Sequence, residues 1–260
     1  MSVMEHKRLL KQSFIYAVQR SRKYPINLIS WVLADFSMYF SMFLGYLLMS
    51  TSLNSYGTYS SKEMLLYLSC YYVVNNLFAV FFTQGLDIFC DEIWSGLFVY
   101  ALLSPVTNLK YYLYRNINIP ALLSTIPLFI VNLICLKNCN VRISLLYIVS
   151  IILSTISMVL IFAIIFSLQL YGIHSFALSS IIVQFLSLAE KPDTIFSNRV
   201  RYILTFIIPV FIMSAIPCRI ALNKYNNIDV FIMILVPIML MIIFFYVFKN
   251  GVKKYHAVNM

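Results

Sequence analysis

The sequence predicts an all-α integral membrane protein with six transmembrane helices, and three features carry that prediction. Of its 260 residues, 62% are hydrophobic and only 11% are charged, whereas about a quarter are charged in a soluble domain. The apolar stretches are continuous rather than alternating, which suits helices crossing a hydrocarbon core about 30 Å thick and does not suit the strands of a barrel. Basic residues gather beside apolar spans at the two ends of the chain. The positive-inside bias and anionic lipid therefore account for the net charge of +10 without nucleic acid as a partner.

Residues 5–24 carry Lys7, Arg8, Lys11, Arg20, Arg22 and Lys23, with Leu10, Phe14, Ala17 and Val18 recurring on one face. This is an amphipathic helix expected to lie in the membrane interface. It is not a signal peptide, because the apolar stretch that follows is too long, contains Asp35 and lacks a small-residue cleavage pattern. The amino terminus is therefore expected to be cytoplasmic. The first span runs over 25–49, opening on Pro25. Asp35 lies within it, about 15 Å along the helix axis at a rise of 1.5 Å per residue. Such an acid must face protein or water: it serves either a translocation path or helix interface, or a structural hydrogen bond to Ser37, Ser41, Asn75 or Asn76.

The second span, 64–85, returns the chain to the starting side. The segment 86–104 then places Leu86, Phe89, Cys90, Ile93 and Leu97 on one helical face and Asp87, Asp91 and Ser95 on the other, with Glu92 beside them. Three carboxylates so close together do not enter hydrocarbon cheaply, so this amphipathic helix belongs at the membrane surface or against a partner. Gly96 weakens it by about 1 kcal/mol relative to alanine, and Ser104-Pro105 ends its apolar continuation. The third span covers 117–136, with Pro120 and Pro127 expected to bend it, and the fourth covers 143–168. Of the remaining apolar stretches, 176–189 and 230–248 are read as spans five and six. The short stretch 202–216, broken by Pro209 and followed by Pro217, is read with its flanks at 199–218 as an outer re-entrant hairpin, tolerated at depth only where protein or water surrounds it. That count leaves Lys249, Lys253 and Lys254 on the cytoplasmic side, where basic residues belong.

Several chemistries lack their residues. The six glycines, at 45, 57, 85, 96, 172 and 251, form no G-x-x-x-x-G-K-[ST] phosphate loop, and the three histidines make no H-E-x-x-H site. No serine stands in a G-x-S-x-G setting. The five cysteines are scattered and read as free thiols. No catalytic residue, metal site or cofactor is expected in this chain.

The order of elements resembles the permease subunit of type-2 ABC transporters. Glu92-Ile93-Trp94-Ser95-Gly96, with Leu103-Ser104-Pro105, is similar to an acid-Ile-basic-x-Gly pattern and Leu-x-Pro in that family's loop after span two, with Trp94 in place of the usual basic residue. Pro192-Asp193-Thr194-Ile195-Phe196, Arg201, a run ending in Pro209, and Ile216-Pro217 resemble a subgroup pattern. The resemblance covers nearly the whole chain as one permease domain, 1–260. It implies that 86–95 is a coupling helix, with Asp87, Asp91, Glu92, Ile93, Trp94 and Gly96 meeting a separate P-loop ATPase. It also implies a second permease copy, the same or different, and export across a cell membrane, a bacterial cytoplasmic one, with both termini inside. The competing reading is an ATP-independent carrier or channel.

Overall fold

The computed structural model describes residues 3–52, 55–103, 112, 117–173 and 175–258, and is almost entirely helical. The first two helices are α1 (Val3–Lys23) and α2 (Pro25–Ser52). Two-residue strands β1 (Ser55–Tyr56) and β2 (Tyr59–Ser60) pair antiparallel around Gly57 and lead into α3 (Ser61–Phe78). The helix continues through a π segment, Ala79–Thr83, into α4 (Gln84–Trp94), and a short α5 (Phe98–Leu102) follows. Next come α6 (Ile119–Asn138), α7 (Leu145–Ser167) and a 3₁₀ turn at Leu168–Tyr171. The remainder is α8 (Ser175–Ala189), α9 (Asn198–Phe206), α10 (Ala215–Ala221) and α11 (Asn227–Val258).

Among the described residues, five helices are long and apolar enough to cross a membrane, or six if the bent α9–α10 pair is one span. The expected fifth span is α8, whose 15 residues rise about 22 Å and so fall short of a 30 Å core. It still joins opposite ends of the bundle. Just before α8, the Tyr171 hydroxyl donates to the Val247 carbonyl deep along α11, and at its far end the Ala189 carbonyl faces Tyr67 at the start of α3. The pair α9 and Val210–Ala221 is bent by 74°, and its flanks meet. Asp193 before it and Asp229 after it both contact Arg219, so the segment leaves and returns at one end of the bundle. Pro209 sits at the break, and Pro217 lies in the first turn of α10, where a missing N–H removes no helical bond.

One expectation is extended and one corrected. Gly85 does not break the helix where the expected second span ends: one glycine weakens a helix without stopping it, and the crossing runs on through a π segment as a continuous Ser61–Trp94 helix. At 34 residues that helix is about 51 Å long, so roughly 20 Å projects beyond a hydrocarbon core of about 30 Å. Nor does Pro120 bend the third span. It occupies the first turn of α6 behind the Asn118 cap, whose side chain accepts from Ala121 N at 3.2 Å. Ser104, Pro105, Lys110 and Arg115 lie outside the described residues.

Buried contacts centre on α3, which packs on α2, α6 and α7, while α11 packs on α7. Lipid tails are as apolar as leucine, so close packing and interhelical hydrogen bonds must hold such helices together. Tyr67, Tyr71 and Tyr72 are fully buried on α3. Asn76 donates to the Ala121 carbonyl and to Thr125 Oγ1 at 3.1 and 2.8 Å. Asn132 donates to Ser69 Oγ at 3.0 Å and accepts from the Tyr147 hydroxyl at 2.9 Å, tying three helices together.

Candidate functional site

The projecting end of the long helix is held by a core of its own. Phe89 and Ile93 on α4 pack with Phe98 and Ala101 of α5, Tyr112, Leu170 and Tyr255. The Phe89 ring meets Phe98 and Tyr112 edge-on at 5.5 and 5.2 Å, and Phe98 meets Tyr255 at 5.4 Å. Such aromatic pairs add about 0.5–1.5 kcal/mol each beyond burial, so α4 is anchored to the end of α11 rather than left as a free rod. Between α4 and α5 the chain turns at Gly96, with φ +78° and nothing within 4 Å of a Cβ placed there. The glycine is needed for its left-handed backbone, not for space.

This anchoring decides which residues face outward. Asp87, Asp91 and Trp94 are exposed on α4, and Trp94 is 67% exposed. Leu97, Tyr100 and Leu103 extend the surface, with Tyr100 73% and Leu103 76% exposed. The result is an aromatic and aliphatic patch beside two carboxylates. Glu92 turns toward its own chain and accepts a hydrogen bond from the Tyr112 hydroxyl. Ile93 is buried in the local core, so it positions the helix and is not offered to a partner, contrary to the expectation that it docks directly. The helical stripe in the sequence told that Ile93 was apolar but not which side the protein itself would cover. Tyr100 was passed over, Leu103 was noted only within its motif, and Leu97 was placed on the same face as Ile93, for the converse reason: beyond the Gly96 joint the α4 periodicity no longer predicts facing.

Asp35 is half-buried on α2, and Ser124 Oγ on α6 donates to its Oδ2 at 3.0 Å. The carboxylate thus ties two spans together, through a partner that none of the sequence candidates named. Nearby, Tyr39 donates to Asn76 Oδ1 at 3.4 Å.

A second polar site closes the opposite end. Asp193 has no exposed surface, yet its Oδ2 lies 2.8 Å from Arg201 Nη2 and 3.4 Å from Arg219 Nη2, and its Oδ1 accepts from the Tyr59 hydroxyl at 3.2 Å. Arg219 Nη1 also pairs with Asp229 at 2.9 Å. The Tyr67 hydroxyl donates to the Lys191 carbonyl at 2.8 Å and meets Ser214 Oγ at 2.7 Å. At Gly57, with φ +63°, an added Cβ would lie 2.1 Å from Thr194 Oγ1, so only glycine lets the β1–β2 turn seat against the Asp193 segment.

Fold and surfaces together define a multi-pass, all-α membrane protein with an anchored helical projection at one end and an ion-paired closure at the other. Comparison with known families finds a match over residues 36–258 to the family described as ABC-2 family transporter protein. The chain belongs to that family, as a type-2 ABC transporter permease. Comparisons with curated proteins and with solved structures find no match.

Proposed function

We propose that this chain is the membrane-spanning subunit of an ABC exporter, driven by ATP hydrolysis on a separate P-loop ATPase subunit. The whole chain forms one permease domain, pairs with a second permease copy, and sits in the cell membrane with both termini cytoplasmic. The observation that carries the reading is the outward face of α4 and α5, where Asp87 and Asp91 border exposed Trp94, Leu97, Tyr100 and Leu103. An interfacial anchor would meet anionic lipid, which repels both carboxylates. A groove on a protein suits them, since an amphipathic helix laid in a groove is a recurring mode of recognition and aromatic residues serve as its anchors. The local core beneath favours mechanical use, because a partner's motion is passed directly to the α3–α4 helix and to the end of α11. Against a self-sufficient carrier, Asp35 already accepts the Ser124 hydroxyl and so has a structural role.

The test is co-purification of the tagged permease with a P-loop ATPase from membranes, followed by ATPase rates in reconstituted vesicles with and without the permease. A stable complex with a changed rate is expected. Transport by the permease alone, without ATP, would overturn the proposal.

A further inference from the structure

Two cavities follow one another along the same pair of helices. The first, about 660 Å³, lies where α1 meets the starts of α2 and α6, and its lining mixes polar and apolar groups: Arg20, Gln12, Asn27 and Gln84 beside Tyr24 and Trp31. The second, about 460 Å³, begins one residue further along α2, at Val32, and one turn further along α6, at Ser124. Its walls are almost wholly apolar, including Leu33, Phe36, Phe40 and Leu47. From Val32 to Leu47 the groove runs about 22 Å along α2, more than the roughly 15 Å of one leaflet's hydrocarbon.

No carboxylate is among the residues lining either cavity, and Arg20 supplies the positive charge at the polar end. The order is a cation with hydrogen-bonding groups, then an apolar trough, and it complements a molecule with an anionic head and a long tail. Long-chain amphiphiles gain affinity with each CH₂ they bury, and a guanidinium holds phosphate through paired N–H donors.

We infer that the groove between α1, α2 and α6 is a binding site for an anionic amphiphile from the cytoplasmic leaflet, its head on Arg20 and its tail along α2. The inference rests on the proposed membrane orientation but not on coupling. Its test contains no ATPase, so its failure and that of the coupling assignment are distinguishable.

The chain's two tryptophans are Trp31, in the polar cavity, and Trp94, on α4. In the full-length Trp94→Phe protein, reconstituted in phosphatidylcholine nanodiscs, Trp31 alone reports on the groove. Brominated-tail phosphatidylglycerol should quench it at a mole fraction several-fold below that needed for brominated-tail phosphatidylcholine. Arg20→Gln should remove that preference and Arg20→Lys retain most of it, while excess soluble glycerol phosphate should leave the quenching in place. Equal quenching by both lipids would mark ordinary surrounding lipid and overturn the inference. So would reversal by glycerol phosphate, which would reveal an anion site with no use for a tail. Protection of Trp31 from both lipids in the purified dimer would give the groove to the second permease copy and would also overturn it.

Discussion

A carboxylate with no exposed surface persists only when its charge is met on all sides, and Asp193 meets two guanidinium groups and a tyrosine hydroxyl. Of these, Arg219 matters most, since it also holds Asp229 and is the less exposed of the two arginines, at 16% against 34%. Arg219→Met leaves buried Asp229 without its arginine and Asp193 with Arg201 alone, and breaking buried pairs in this way costs about 3–5 kcal/mol. Unfolding in detergent should therefore show a much larger loss for Arg219→Met than for Arg201→Met; equal small losses would mean that water already reaches Asp193. Asp35 makes a different test. Asparagine there still accepts the Ser124 hydroxyl, so Asp35→Asn should fold and transport, whereas Asp35→Leu should lose a contact worth roughly 0.6–2 kcal/mol and impair assembly. Loss of transport in Asp35→Asn at normal yield would show that charge itself is needed. The acid stood out in the sequence because charge is rare in a span. Its partner did not, because Ser124 is one of many serines and lies 89 residues away.

At the scale of elements, α4 separates residues that position the helix from residues that meet a partner. Ile93→Ala hollows the local core, a change that typically costs about 2–5 kcal/mol, and should lower thermal stability. Trp94→Ala removes mostly exposed surface and should cost much less stability than Ile93→Ala while weakening ATPase binding by about 2 kcal/mol or more. If both variants unfold alike, Trp94 is packed rather than offered. Gly96→Ala places an alanine in left-handed backbone at about 1–2 kcal/mol and should disturb α5 without affecting insertion of the spans. The joint at Gly96 was legible, since glycine and a broken apolar stripe coincide there. The unbroken helix through Gly85 was not, because a π segment leaves no mark in apolar periodicity. The facing of α4 was half legible: periodicity gave the two faces, but the covering of one by Tyr112, Leu170 and Tyr255 depends on residues distant in sequence.

For the whole molecule, an all-α membrane bundle was readable from composition and run length, because hydrocarbon imposes its thickness and its ban on unpaired backbone directly on the sequence. The α9–α10 segment was recognisable by its prolines and short length. Its closure through Asp193, Arg201, Arg219 and Asp229 was not, though Asp193 and Arg201 both stood in the motif that carried the resemblance. Topology has its own check: cysteines placed at Lys224 and Lys253, both exposed, should label from opposite sides of the membrane, with 253 cytoplasmic. Labelling of 224 from the cytoplasm would require an even number of crossings between a cytoplasmic α1 and α11, and would contradict this topology. The central claim, that α4 and α5 face an ATPase, is tested most directly by photo-crosslinking from single positions in membranes containing the assembled transporter. Crosslinkers at Trp94 and Tyr100 should capture a P-loop ATPase chain, while one at buried Ile93 should capture only the permease itself. Capture of lipid alone from 94 and 100 would contradict the account.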